Sequence, residues 1–295
     1  MTTPMDKPEI TQEMIDLYDE YTHITLDRRG FLDKMTALVG STAAAVTVTS
    51  LIEADGAAAQ IVPPDDNRLV TETVKWQGAT DMSGYLAKPA AASGKLPAVV
   101  VIHENRGLVP HIKDVTRRMA LEGFLALGPD FLTPSGGTPE DEDKGRDMIK
   151  TLDMKATVQN SVAAVKFLKS HPAGSGKVAV IGFCWGGAMV NQTAVTAGGD
   201  LAAAVAYYGR QPKAEQVSNI QAPLMLHYAG LDKRINEGIP AYKEALEKAG
   251  KTFEIHMYEG AQHAFNNDTA KARYNKAAAD LAWQRTVAFL KKHLA

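Results

Sequence analysis

The most informative stretch of this chain is VAVIGFCWGGAMV, at residues 178–190. It opens with an apolar, largely β-branched run, which is typical of a short strand buried on both faces. Residues 186–195 follow as a pattern that predicts a helix. Between the two lies Cys184, the only cysteine among 295 residues. The sequence therefore predicts a strand, a sharp turn and a helix, with Cys184 at the turn.

Similar apolar runs recur outward from this stretch and alternate with helical patterns. Strand–helix alternation predicts parallel βαβ units and a mostly parallel central sheet with helices on both faces. We expect one α/β domain at residues 61–295, in which the acidic segment 138–147 is solvated surface. Strands are predicted at 69–76, 84–89, 97–104, 124–130, 177–183, 202–209, 222–230 and 253–260, and helices at 111–122, 156–170, 239–250 and around the apolar stripe of Trp283, Val287, Leu290 and Leu294.

The composition is that of an ordinary globular protein, with 45% hydrophobic and 22% charged residues. A formal net charge of −2 gives no electrostatic reason to expect a nucleic-acid partner. A single cysteine excludes an internal disulfide, a thiolate-rich zinc site and an iron–sulfur cluster within one chain. We expect no cofactor and a monomer or small homo-oligomer.

Residues 1–60 differ from the rest and are predicted to be a leader. Arg28-Arg29 precede Phe31-Leu32, an apolar small-residue stretch covers 35–52, and Ala57-Ala58-Ala59 has the pattern of a signal-peptidase site. This order resembles a twin-arginine export signal and predicts a periplasmic or otherwise exported protein. Acidic residues at Asp27, Asp33, Glu53 and Asp55 depart from that pattern.

Two other interpretations of the leader stay open. The stretch 35–52 could be a membrane anchor, although its many Ala, Thr, Ser and Gly residues are only weakly hydrophobic, so we expect no stable membrane span. It could instead be a helix of the folded protein, with residues 8–24 forming an acidic helix before it. That arrangement would suit a cytoplasmic location.

The setting of Cys184 favours a nucleophile over a buried packing residue or a redox thiol. Gly182 and Gly186 flank it in a G-x-nucleophile-x-G arrangement, which holds the central residue strained and exposed above the sheet. The main-chain amide of Trp185 would then donate to an oxyanion. The N-terminus of the following helix would favour the thiolate.

Partners for this nucleophile are predicted downstream, because the order along such a chain is nucleophile, acid, base. Asp232 follows the strand at 222–230, and His263 follows the strand at 253–260. A neutral imidazole can take the thiol proton, and a carboxylate fixes its tautomer. We therefore expect a site of Cys184, Asp232 and His263.

The other histidines have simpler interpretations. His227 and His256 lie inside predicted strands, while His23, His171 and His293 are expected at the surface. His103 and His111 could line a pocket. A metal site made from His103, Glu104 and Asp130 has unspecific spacing, so we predict no metal, and Asp130 is expected to brace its loop.

The sequence resembles the dienelactone hydrolase family over residues 85–295. Four motifs carry the resemblance: VVVIHENRGL at 99–108, FLALGPDF at 124–131, GFCWGGA at 182–188 and GAQHAF at 260–265. The resemblance implies an α/β-hydrolase fold with Cys184, Asp232 and His263 as its catalytic residues. It also implies that Glu104 holds the resting thiol and that the Asn105 amide is the second oxyanion donor.

The expected activity is hydrolysis of a small ester or lactone through a cysteine acyl-enzyme. In the family, arginines hold the substrate carboxylate, one of them shortly after the histidine. Residues 263–267 contain no cation, which leaves Arg106 and Arg146 as candidate substrate-binding residues. The alternatives are a thiol redox or sensor protein and a non-enzymatic binding protein on the same fold.

Overall fold

An eight-stranded sheet forms the centre of the computed structural model, which describes residues 9–23, 26–54 and 60–295. The spatial order is β1-β2-β4-β3-β5-β6-β7-β8. The first three strands in that order pair antiparallel and the remaining pairs are parallel, as the strand–helix alternation predicted. The strands are β1 (Leu69–Gln77), β2 (Asp81–Pro89), β3 (Leu96–Ile102), β4 (Leu125–Asp130), β5 (Gly174–Phe183), β6 (Ala203–Tyr207), β7 (Leu224–Ala229) and β8 (Phe253–Tyr258).

Helices cover both faces of this sheet, which confirms the predicted fold class. The helices are α1 (Gln12–His23), α2 (Arg28–Val39), α3 (Thr42–Ile52), α4 (Pro110–Leu121), α5 (Glu142–Lys150), α6 (Met154–Ser170), α7 (Trp185–Thr196), α8 (Lys233–Asn236), α9 (Ile239–Lys248) and α10 (Lys276–Leu294). One apolar core lies between the sheet and α4 and α10, and a second lies between the sheet and α6, α7 and α9. Burial of each large aliphatic side chain contributes about 1.5–3 kcal/mol.

The acidic segment 138–147 is not simply solvated surface as predicted. It folds into α5, which begins at the N-cap Asp141, whose carboxylate accepts from the amides of Asp143 and Lys144. Arg146 and Ile149 on one side of this helix are buried. The helix is amphipathic, with one side packed against the protein. Its many acidic residues led to the prediction of a solvated segment.

The N-terminal segment, defined as the described residues 9–54, forms three helices around its own apolar cluster. Tyr18, Tyr21, Phe31 and Met35 are buried there. The side chains of Asp27 and Ser41 cap α2 and α3, and Gly40 at φ 83° ends α2. This turn splits the apolar stretch 35–52 into two helices, as Gly and Ser at such positions favour.

Within the described ranges, no single helix is long and apolar enough to cross a membrane. Only when taken together are α2 and α3 long and apolar enough for a membrane span, and the angle between their axes is 106°. The helices α1–α3 agree with the interpretation in which this segment is part of the folded protein. Export stays a prediction, and the expected cleavage site at 57–59 lies outside the described residues.

Candidate active site

The turn between β5 and α7 places Cys184 at the carboxyl edge of the sheet. Cys184 has φ 55° and ψ −114°, a region that costs a non-glycine residue about 1–3 kcal/mol. Its amide donates to the Tyr207 carbonyl at 3.0 Å. A Cβ on Gly186 would lie 2.4 Å from the His103 carbonyl oxygen, so only glycine fits there. The strained turn predicted from the sequence is present, but Cys184 is buried and not exposed as predicted.

Asp232 and His263 meet at the same edge from two other strands. Asp232 follows β7, His263 follows β8, and His263 Nδ1 lies 2.5 Å from Asp232 Oδ2. An ionised carboxylate only accepts hydrogen bonds, so the proton of a neutral His263 ring lies on Nδ1 and Nε2 is the nitrogen that can take a second proton. Nε2 is buried and has no hydrogen-bond partner among the described residues, and the His263 ring offers a nitrogen within 4.8 Å of Cys184 Sγ.

The electrostatics of this pair favour a charged imidazolium. Burial alone would lower the pKa of His263, but the Asp232 carboxylate and the negative charge of a Cys184 thiolate raise it to about 10. Burial would raise the pKa of Asp232, and His263 holds it below its ordinary value. The pair is therefore built to receive a proton at His263 Nε2.

His23 lies in this site, so its predicted surface position is wrong. It is the last residue of α1, and its Nε2 is 3.0 Å from Cys184 Sγ. Its ring meets the His263 ring edge-on, with centroids 4.6 Å apart. Burial lowers the pKa of His23 well below its ordinary value. Nothing in the local sequence signals this contact, because it joins residues 161 positions apart.

Glu104 has a different partner from the one that the resemblance implied. Its Oε2 accepts from Asn267 Nδ2 at 2.8 Å, and its buried Oε1 has no partner within the described part of the chain. The contact of the Cys184 sulfur is instead with His23. The oxyanion role of the Asn105 and Trp185 amides stays a prediction.

The two predicted substrate-binding arginines contact the N-terminal segment and α5. Arg106 donates to the Tyr18 hydroxyl at 2.7 Å and pairs with Glu142 at 3.2 Å. Arg146 donates to the Tyr21 hydroxyl at 2.9 Å and pairs with Asp143 at 3.0 Å. Arg106, Glu104, Cys184 and His263 border one cavity. Arg146 borders a second, with Cys184 and His263. A role in substrate binding stays a prediction for both.

The second cavity, of about 550 Å³, is bordered by arginine side chains that were not predicted from the sequence. Arg210 and Arg234 border it together with Trp185 and Tyr208. Arg273 borders the first cavity and lies over the Tyr18 ring. Arg210 follows β6 and Arg234 follows β7, so the rule that ligands gather at the carboxyl ends of strands could have found both.

The remaining predicted polar residues are accounted for locally. Asp130 accepts from the amides of Leu132 and Thr138, so it braces its loop as predicted. His103 is buried with its ring stacked on Trp185, and His111 borders the first cavity. The sulfur of Cys184 and one ring nitrogen each of His23 and His263 lie within 4.8 Å of one another, which is a donor set that could hold a soft metal ion.

Two family models match parts of this chain. Residues 82–294 match the model described as the dienelactone hydrolase family. Residues 1–39 match a second model, described as YqhI-like.

Known proteins are similar over most of the chain. A protein of Escherichia coli O157:H7, provisionally named a carboxymethylenebutenolidase, is 32% identical over 80% of this chain and 92% of its own length. A Bradyrhizobium protein, provisionally named a 2-oxo-3-(5-oxofuran-2-ylidene)propanoate lactonase, is 30% identical over 71% of this chain and 89% of its own length. The crystal structure of a Klebsiella pneumoniae protein, provisionally named a dienelactone hydrolase, superposes with a TM-score of 0.69 at 29% identity over 76% of this chain and 99% of that one. The chain is thus a hydrolase with the α/β-hydrolase fold, and it belongs to the dienelactone hydrolase family.

Proposed function

We propose that this hydrolase cleaves small esters or lactones by acyl transfer through Cys184. The observation that carries the proposal is the 2.5 Å contact between His263 Nδ1 and Asp232, in a His263 ring that also offers a nitrogen within 4.8 Å of Sγ. Nucleophile, base and orienting carboxylate are the groups that acyl transfer requires. The family supports hydrolysis as the reaction class.

The proposed reaction has two steps. In the first, the thiol proton passes to His263 Nε2, Sγ bonds to the carbonyl carbon, and the amides of Trp185 and Asn105 stabilise the oxyanion. The carbon–oxygen bond to the leaving alkoxide then breaks, and His263 returns its proton to that oxygen. In the second step, His263 takes a proton from water, the hydroxide attacks the thioester, and the acid leaves as the proton returns to the sulfur.

Small activated esters and lactones are the substrates that suit this site best. A thiolate expels a poor leaving group with difficulty, so an activated alcohol or a strained ring favours the forward reaction. The name of the Bradyrhizobium relative also points to a lactone. Arg146, Arg210 and Arg234 border the larger cavity, where guanidinium groups would bind a carboxylate on the substrate. Arg106 is the corresponding candidate at the smaller cavity.

Substitution of the sulfur and of the base tests this function. We expect Cys184→Ala and His263→Ala each to lower kcat for 4-nitrophenyl acetate by about 10³-fold or more, because each removes a group that acts as part of a unit. The wild type should show a burst of 4-nitrophenol and an acyl adduct on the peptide that contains Cys184.

The matched control is His171→Ala, which removes a partly exposed histidine at the end of α6 and should leave kcat unchanged. Ester turnover that persists in pure Cys184→Ala protein would contradict the mechanism. A sensor or binding protein would show neither the burst nor turnover, so the same assay separates these alternatives from the hydrolase.

We also propose export, on the sequence alone. Arg28-Arg29, the apolar stretch 35–52 and Ala57-Ala58-Ala59 support it. Twin-arginine systems carry folded proteins, so an enzyme folded in the cytoplasm could reach the periplasm.

A further inference from the structure

The tautomer of His23 is fixed by its neighbours on α1. Its Nδ1 lies 3.0 Å from the Asp19 carbonyl oxygen, which can only accept a hydrogen bond. Nδ1 therefore carries the ring proton, and Thr22 Oγ1, 2.9 Å away, is a further partner of the same nitrogen. The remaining nitrogen, Nε2, is bare and lies 3.0 Å from Cys184 Sγ. It follows that the thiol donates its proton in a hydrogen bond to His23.

Cys184 has only one proton but lies near two imidazole nitrogens, of which His23 Nε2 is one. The other belongs to His263, whose Nε2 has no hydrogen-bond partner among the described residues. A thiol that points to His23 cannot at the same time donate to His263. The contact with His23 therefore separates the nucleophile from the base that the proposed reaction uses.

His23 is a weak base and is poorly suited to take the thiol proton itself. Burial lowers its pKa, and a charge on His263 or Arg234 lowers it further. Asp232 gives His263 a carboxylate partner, whereas the Nδ1 partners of His23 are a carbonyl and a hydroxyl. A neutral acceptor stabilises the thiol rather than the thiolate.

Polar contacts with residues 61–295 hold α1 over the site. Asn105 Nδ2 donates to the Thr22 carbonyl at 3.0 Å, next to His23 itself. Others are the bonds from Arg106 to the Tyr18 hydroxyl and from Arg146 to the Tyr21 hydroxyl, and a pair between Arg273 and Asp19 at 3.6 Å. Because an attacked carbonyl carbon must come within about 3–3.5 Å of the sulfur, the His23 ring occupies space that the acyl group needs.

We propose that His23 is the resting acceptor of the Cys184 thiol, so that the N-terminal segment keeps the nucleophile neutral and covered until His23 leaves. Release of His23 lets the thiol proton pass from Sγ to His263 Nε2, and the acyl group then takes the place of the His23 ring. The role of His23 in turnover rests on the proposed function of Cys184. Its effect on the thiol does not.

Alkylation of the full chain with iodoacetamide tests this directly, because Cys184 is its only cysteine. We expect His23→Ala to raise the second-order rate constant at pH 7 about tenfold, which is the size of one lost net hydrogen bond. The pH profile of alkylation should shift to lower pH, because the bond that stabilises the neutral thiol is gone. His23→Gln retains an acceptor of similar reach and should resemble the wild type.

A second variant loosens α1 while keeping His23. Tyr18→Phe combined with Tyr21→Phe removes the hydroxyls that Arg106 and Arg146 contact, and alkylation should accelerate by a smaller factor. Glu13→Ala, at an exposed position of α1, is the control and should not change the rate constant. A merely structural role of His23 would change the melting temperature without moving the pH profile.

A rate constant for His23→Ala that is equal to or below that of the wild type, in protein with a native circular dichroism spectrum, would overturn the proposal. If that variant does not fold, an unchanged rate constant for the double tyrosine variant would overturn it. The assay needs no ester substrate, so a failure of the proposed hydrolysis would appear separately, as absent turnover beside an intact alkylation difference.

Discussion

Asp232 and His263 form an ion pair whose stabilising effect depends on pH. The pKa of His263 is raised from 6.5 to about 10, so protonation of His263 stabilises the fold fully below pH 6.5 and less as the pH rises towards 10. The pKa of Asp232 is held below 3.8, so its contribution is present above that pH and lost as the pH falls further. The pair therefore stabilises most between about pH 4 and 6.5.

His263→Ala should reveal this window. The difference in melting temperature between wild type and variant should be largest near pH 5 and should shrink steadily between pH 6.5 and 10. Val205→Ala, a truncation in the apolar core, is the control, because its effect on the melting temperature does not depend on the protonation of any group. A His263→Ala difference that is the same at pH 5 and pH 9.5 would show that no charged pair forms.

Single residues differ in how far they could be predicted. Asp232 and His263 follow from the positions of two strand ends, because a parallel sheet brings those ends to one edge. His23 could not be predicted, since the contact depends on how three separate helices pack over that edge. Glu104 was predicted from the resemblance, and its bond to Asn267 depends on a side chain in a loop after β8.

At the scale of elements, the backbone at and just after the end of β6 packs closely against the backbone of the first turn of α7. A Cβ on Gly209 would lie 2.2 Å from the Gly187 carbonyl carbon, and a Cβ on Gly187 would lie 2.5 Å from the Tyr207 carbonyl oxygen. Backbone atoms cannot rotate away as a side chain can. The position of the Cys184 turn therefore depends on glycine in both elements.

Gly209→Ala should lower the melting temperature by about 5 °C, since such overpacking costs about 1–3 kcal/mol and a domain of this size loses about 2–4 °C per kcal/mol. The control is Gly199→Ala, where the nearest atom to an added Cβ is Gln221 Oε1 at 3.6 Å. We expect that control to melt like the wild type in a calorimeter. Equal melting temperatures for both variants would mean that the backbone around Gly209 and Gly187 can move apart without loss of stability.

The elements themselves were largely predictable, for a physical reason. Buried parallel strands are uninterrupted apolar runs, so β3, β5 and β7 stand out from any helical pattern. Their ends were less certain: β3 ends at Ile102, so His103 and Glu104 lie beyond it and belong to the site. The helix α5 was missed because acidic residues fill its solvent side and only Arg146 and Ile149 mark its buried side.

On the scale of the whole molecule, the N-terminal segment combines two sequence patterns with different consequences. Its arginine pair and apolar stretch resemble an export signal, and its first 39 residues match the YqhI-like family model. In the folded chain, the same residues form α1–α3 and bring His23 to Cys184. If the export signal is cleaved near residue 59, His23 is removed from the enzyme, and export would then change the state of the active site.

Protein recovered from the periplasm tests that coupling. If the export signal is processed, N-terminal sequencing should begin near Gln60, and iodoacetamide should alkylate Cys184 about tenfold faster than in the full chain, as in His23→Ala. Replacement of Arg28-Arg29 by Lys-Lys is the control for the route, and it should keep the full chain in the cytoplasm with slow alkylation. Periplasmic protein that begins at Met1 would contradict cleavage, and its slow alkylation would then mean that the N-terminal segment stays over the active site after export.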